Sequence, residues 1–230
     1  MLRLHSPSPG QARECGAVVA RSKRRLSLSL NAPRSTTGCR VRLTATGRPR
    51  EGPAPMRPEE TIEAPTMGQR ISCLSNTVST GGELLRFSFW MRGDASPPPL
   101  HVHPRQEEHI EVVSGSVLSI SGGVRRVLGP GGTISTPPGE PHTVGPARGG
   151  AVEMIVEFRP ALGFERFVER TFALDRAGHL NAKGRGNPLR LATARPHEAE
   201  FFVPRVPIGL QRAILRALER LGRRLAGARG

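Results

Sequence analysis

The stretch His101-Val102-His103-Pro104-Arg105-Gln106-Glu107-Glu108-His109-Ile110-Glu111-Val112-Val113-Ser114-Gly115 decides how the chain is read. In an extended segment successive side chains point to opposite faces, so His101 and His103 share one face. The run that follows alternates, and its phase selects one glutamate. If Glu108 points inward, Ile110 and Val112 do too, leaving His109 and Glu111 in water. If Glu107 pointed inward, His109 and Glu111 would enter the core without partners, at the cost of burying polar groups. Glu108 is therefore the inward residue, and Gln106, Glu107 and His109 are read as rim or surface. A second stretch, Gly131-Gly132-Thr133-Ile134-Ser135-Thr136-Pro137-Pro138-Gly139-Glu140-Pro141-His142, adds a third imidazole behind a stiff Pro-Pro-Gly turn. Three neutral imidazoles and one carboxylate suit borderline first-row dications such as Fe, Mn, Ni, Cu or Zn. His101, His103, Glu108 and His142 are the candidate metal ligands, with a metal-free polar patch as the alternative; no catalytic residue is assigned.

Outward from these stretches the sequence consists of short β-rich runs punctuated by Gly and Pro. Strands are predicted at Leu84 to Met91, Pro99 to His103, Glu108 to Val113, Val117 to Ser121, Val124 to Leu128, Thr133 to Thr136, His142 to Val144 and Ala151 to Phe158. Gly122-Gly123 marks a tight hairpin. Many short strands with turn signals every 8–12 residues indicate an all-β sandwich or barrel.

Read as patterns, the two stretches resemble the paired motifs of the cupin superfamily. The first is His-x-His, three or four residues, Glu, six residues and Gly, which stands here as His101, His103, Glu108 and Gly115. The second is Gly, five residues, Pro-x-Gly, two residues, His, three residues and Asn, which stands as Gly131, Pro137, Gly139 and His142. Two positions depart from the pattern. The glycine that opens the first motif is displaced to Gly93, ahead of Pro97-Pro98-Pro99, and the closing Asn is Pro146. The resemblance implies a mainly β, cupin-type jelly-roll (double-stranded β-helix, RmlC-like) barrel of a small single-domain bacterial kind. It also implies a divalent transition metal held in the barrel mouth, a small-molecule ligand or substrate, and pairing as a homodimer.

The remaining chain divides into a basic leader over 1–55, the β-barrel over 56–160 and a helical extension over 161–230. The leader lacks apolar periodicity and is rich in Ser, Pro, Gly and Arg, a composition that cannot offset the entropy of ordering, so disorder is expected. A transit-type leader and a true start near Met56 are alternative readings. After Pro160, Phe164, Phe167, Val168 and Phe172 fall on one helical face, which is expected to pack on the barrel. A polar loop follows, with His179 and His197 as loop residues. A terminal helix over 207–226 then gathers Leu210, Ile214, Leu218, Leu221 and Leu225 on an apolar side, expected to pack inward, opposite Arg212, Arg216, Arg220 and Arg223. A helix lying in a membrane interface is the alternative for this segment.

Thirty-four Lys and Arg against 19 Asp and Glu give a formal charge of +15, a first hint of nucleic acid. The leader carries +9, the barrel region −2 and the extension +8. The excess thus belongs to the ends, and only Trp90 and eight Phe are available for base stacking. Nucleic acid is accordingly disfavoured as a partner. No apolar run approaches the roughly 18 residues of a membrane span. Cys15, Cys39 and Cys73 are too few and too scattered for a disulfide scaffold or a Cys-x-x-Cys zinc site, pointing to a reducing, cytoplasmic setting, with Cys73 read as buried and inert. The leading functional expectation is a metal-dependent protein acting on a small molecule, of oxygenase, isomerase or lyase type. A noncatalytic binding or sensor barrel is the alternative.

Overall fold

The computed structural model describes residues 55–147, 149–195 and 199–227. The leader expected over 1–55 lies outside these residues except for Pro55, as does His197. Nine strands run in the order β1 Thr61–Ala64, β2 Gln69–Ser75, β3 Leu85–Met91, β4 Glu107–Ser114, β5 Val117–Ser121, β6 Val124–Leu128, β7 Thr133–Thr136, β8 His142–Pro146 and β9 Val152–Arg159, followed by three helices, α1 Phe164–Arg176, α2 Pro188–Ala194 and α3 Ile208–Gly227. They build a six-stranded sheet, β1-β2-β3-β9-β4-β7, and a three-stranded sheet, β6-β5-β8. All pairings are antiparallel, as in a jelly roll.

Period-two patterning sets which face is covered. Leu85, Phe87 and Met91 of β3, Val152, Met154, Val156 and Phe158 of β9, and Ile110 and Val112 of β4 are buried in one core with Val117 and Val144 of the smaller sheet. His109 and Glu111, out of phase with them, face away from that core, as the alternation predicts. Gly115 follows β4 with φ +80°, and a Cβ there would come within 2.4 Å of the Ala151 carbonyl oxygen, so only glycine fits this motif position.

Helix α1 closes the core with Phe164, Val168 and Phe172. Its acidic residues anchor the loops around it. Glu165 Oε2 accepts the Thr77 N–H at 2.9 Å, Glu169 Oε1 the Met56 N–H at 2.8 Å, and Asp175 Oδ2 the Thr66 N–H at 2.9 Å.

Several expectations are corrected. Strands β1 and β2 precede the first predicted strand; Thr61-Ile62-Glu63-Ala64 is too short to declare itself. The span from Pro99 to His103 is not a strand. It makes isolated bridges, His101 to His142 and Val102 to Phe202, because Pro97, Pro98, Pro99 and Pro104 lack the N–H groups a ladder needs. The segment read as polar loop contains α2, capped by Asn187, whose side chain accepts the Leu189 N–H, with Pro188 at the first helical position.

Helix α3 is rotated from its predicted orientation. Leu210, Ile214, Leu221 and Leu225 are exposed at 53%, 49%, 47% and 43%, whereas Glu219 is buried. Gly222 explains part of this: a Cβ there would lie 2.7 Å from Thr193 Cγ2, so the bare backbone lets α3 press on α2 through that side. Arg212 anchors the same side, pairing with Glu200 at 3.0 Å and lying 5.2 Å over the Phe202 ring. No helix among the described residues is long and apolar enough to cross a membrane.

Candidate metal centre

The two histidine-bearing segments are locked together through their backbones. The His101 N–H donates to the His142 carbonyl at 3.0 Å and the His142 N–H returns to the His101 carbonyl at 2.9 Å. The Gly139 N–H, in a turn with φ +84° at that residue, donates to the His103 carbonyl at 2.9 Å. Phe202 flanks the other side, exchanging hydrogen bonds of 2.8 and 3.0 Å with Val102. Glu108 arrives from β4, paired with Thr136 of β7 and Phe158 of β9.

This scaffold brings the four predicted residues into one cluster. His101, His103, Glu108 and His142 are 1% to 6% exposed. One potential ligand atom from each lies within 4.8 Å of all the others, a group that could hold a metal ion. The Nε2 atoms of His101 and His103 are 3.1 Å apart, and Glu108 Oε2 lies 2.5 Å from His142 Nε2 and 3.8 Å from His103 Nε2.

The outer nitrogens fix the chemistry of the inner ones. His101 Nδ1 donates to the Pro99 carbonyl at 2.8 Å, His142 Nδ1 to the Glu140 carbonyl at 2.9 Å, and His103 Nδ1 to the Glu200 carbonyl. Since a backbone carbonyl only accepts, the proton is assigned to each Nδ1; the Nε2 atoms of His101 and His103 then direct lone pairs inward, while the Nε2 of His142 shares with Glu108 a proton that a bound cation would displace. Outer hydrogen bonds of this kind hold a metal-binding imidazole in its tautomer and orientation. The donor set therefore fits a cation: the 3.1 Å contact between the Nε2 atoms of His101 and His103 joins two acceptors with no proton between them.

Charge and burial act on the rings in different directions. Burial, reinforced by the charges of His103 and His142, pushes His101 down to about 3. Burial and the charge of His142 take His103 down to about 3. Burial also opposes protonation of His142, but the hydrogen bond and charge of Glu108 outweigh it and raise this ring above its usual value.

Aromatic packing immobilises the cluster. The Phe201 ring stacks on His101 with centroids 4.1 Å apart and planes at 16°. Phe158 and Phe164 meet His103 edge-on at 5.2 and 5.6 Å. Next to the cluster opens a cavity of about 390 Å³, onto which His101 and Glu108 face.

Residues 90–157 match the family model of the cupin domain. The chain carries a cupin domain. Among solved structures the chain is similar to an RmlC-like cupin from Shewanella frigidimarina, with 27% identity, 44% of this chain and 83% of that chain covered, and a TM-score of 0.37. It is also similar to KdgF from a Halomonas species (22% identity, 40% and 81% covered, TM-score 0.35) and to a predicted oxalate decarboxylase from Thermotoga maritima (15% identity, 46% and 97% covered, TM-score 0.40). No curated protein matches the sequence.

Gln106, read as a rim residue, is instead 1% exposed, and its Nε2 donates to the carbonyls of Pro160 and Ala161 at 2.9 Å each. It ties the first motif to the entry of α1. Glu107 is exposed, as expected. Cys73 is fully buried, and burial, followed by the charge of Glu165, pushes its thiol up to about 11, which keeps it unreactive. Sequence reading missed Glu200 and Phe201. Glu200 is completely buried, supplies the carbonyl that orients His103, and engages Arg105 at 2.7 Å and Arg212 at 3.0 Å through Oε1. Its only sequence signal was the short apolar patch Phe201-Phe202 within a polar stretch.

Proposed function

We propose that this cupin acts on a small molecule through a divalent first-row metal held by His101, His103, Glu108 and His142. One observation carries the reading: three Nδ1 atoms are each committed to a backbone carbonyl, so the three Nε2 atoms converge beside a buried carboxylate. Such a set calls for a cation, and neutral imidazoles with one carboxylate favour the Fe, Mn, Ni, Cu and Zn series. A dication bound there supplies Lewis acidity toward an oxygen atom of a bound molecule. The chain's own residues do the rest. His101 and Glu108 face the adjoining cavity, and Phe201 holds the His101 ring in place. Glu108 shares a hydrogen bond with His142 and contributes a negative charge that matches a cation.

The test is metal content followed by titration of metal-free protein with Fe(II), Mn(II), Ni(II), Cu(II) and Zn(II). We expect close to one ion per chain, and loss of binding in a His101→Ala, His103→Ala double variant. Wild-type protein that takes up none of these ions would overturn the reading.

A further inference from the structure

We propose that the cavity beside the metal cluster takes an apolar, ring-bearing carboxylic acid. This rests on the reading of the cluster as the functional centre. The lining selects the class of molecule. Seven of the chain's eight phenylalanines border the cavity, Phe202 alone being elsewhere. Aliphatic Ile71, Val144, Val156 and Leu191 extend the apolar wall, while Gln69, Ser96 and Thr171 are the neutral polar side chains on it. A polyol placed there would leave most of its hydroxyls without partners, at a cost for each, whereas a planar ring meets the faces and edges of the phenylalanines. The volume, about 390 Å³, falls in the range of small-molecule sites.

The acid group follows from the charges. Glu108 is the one carboxylate on the lining and belongs to the cluster. Lys183 and Arg185 line the same cavity from the loop between α1 and α2. That loop is built: Asn181 Oδ1 accepts the N–H groups of both Lys183 and Arg185 at 3.0 Å, and Leu180 bridges to Gly186. The turn orders the backbone of two cationic residues on the cavity lining, so their side chains reach an anion from a fixed base.

The test uses the full chain, metal-free and metal-loaded, titrated calorimetrically with 2-naphthoate, its neutral counterpart 2-naphthylmethanol, glucose and oxalate. We expect 2-naphthoate to bind metal-free protein about tenfold or more tighter than 2-naphthylmethanol, and glucose and oxalate to bind more weakly than either. A Lys183→Ala, Arg185→Ala double variant, altered only on an exposed loop, should bring the acid down to the level of the alcohol. Phe89→Asp should weaken both ring compounds about tenfold, with metal stoichiometry retained as the check on folding. Glucose or oxalate binding as tightly as 2-naphthoate, or 2-naphthoate binding unchanged in the loop variant, would overturn the proposal. Metal uptake without 2-naphthoate binding rejects the cavity assignment alone, and 2-naphthoate binding without metal uptake rejects the metal assignment alone.

Discussion

Glu108 shows how one residue carries both the reading of the sequence and the chemistry of the site. Strand alternation selected it over Glu107, and the structure places it with Ile110 and Val112 on the covered face of β4. Its oxygen lies against His142 and near His103, so it sets a negative charge against the imidazoles. Glu108→Gln keeps the size and the acceptor toward His142 but removes that charge. We expect the fold to be retained and metal affinity to fall more than about tenfold, since even residues outside the ligand set alter affinity by that much. Circular dichroism together with metal titration checks this, and undiminished affinity would show that the carboxylate is not a ligand. Gln106 marks the limit of alternation. It lies just ahead of β4, and the carbonyls of Pro160 and Ala161 that bury it come from 54 and 55 residues away, a contact no local pattern contains.

At the scale of elements, what was legible depended on whether a segment's burial was periodic. Strands β3 to β5 and β7 to β9 show themselves because one face of each is covered, β6, exposed along most of its length, because Gly122-Gly123 marks the hairpin that leads into it, and α1 because its phenylalanines recur along one side. The acidic side of α1 was not legible, since its partners are backbone N–H groups of Met56, Thr66 and Thr77 contributed by distant loops. That side makes a pH-dependent anchor. Burial, reinforced by the charge of Glu165, raises the Glu169 carboxyl from 4.5 to about 7. The folded state therefore holds a proton there that the unfolded chain releases at lower pH. The sign follows: this stabilisation is full below about pH 4.5 and is lost as pH rises through about 7. Glu169→Gln keeps the acceptor for the Met56 N–H without titrating. Urea midpoints measured from pH 5 to 8 should fall more with rising pH in wild type than in the variant. Parallel curves for the two proteins would show that Glu169 does not supply the dependence.

Over the whole molecule, the composition points to the ends of the chain and the chemistry lies in the slightly acidic middle. Residues 1–55 and 161–230 carry +9 and +8, while the cluster of four residues sits in a segment of net −2. The terminal extension is also where the sequence misleads most. Helix α3 offers two candidate faces, and periodicity chose the one richest in leucine. Packing chose the other, because Gly222 allows contact with α2 at Thr193 and Arg212 reaches the buried Glu200 and the Phe202 ring. Two variants separate these faces. Ile214→Lys with Leu221→Lys alters side chains that are 49% and 47% exposed, and should change stability by no more than about 0.5 kcal/mol per site, as substitutions on open surface do. Gly222→Val forces a side chain into the α2 contact and should cost about 1–3 kcal/mol, the range for overpacking. Urea denaturation of both, with metal stoichiometry as a check that the cupin domain is intact, decides between them. A large loss in the double-lysine protein with little in Gly222→Val would mean that α3 buries its leucine side after all.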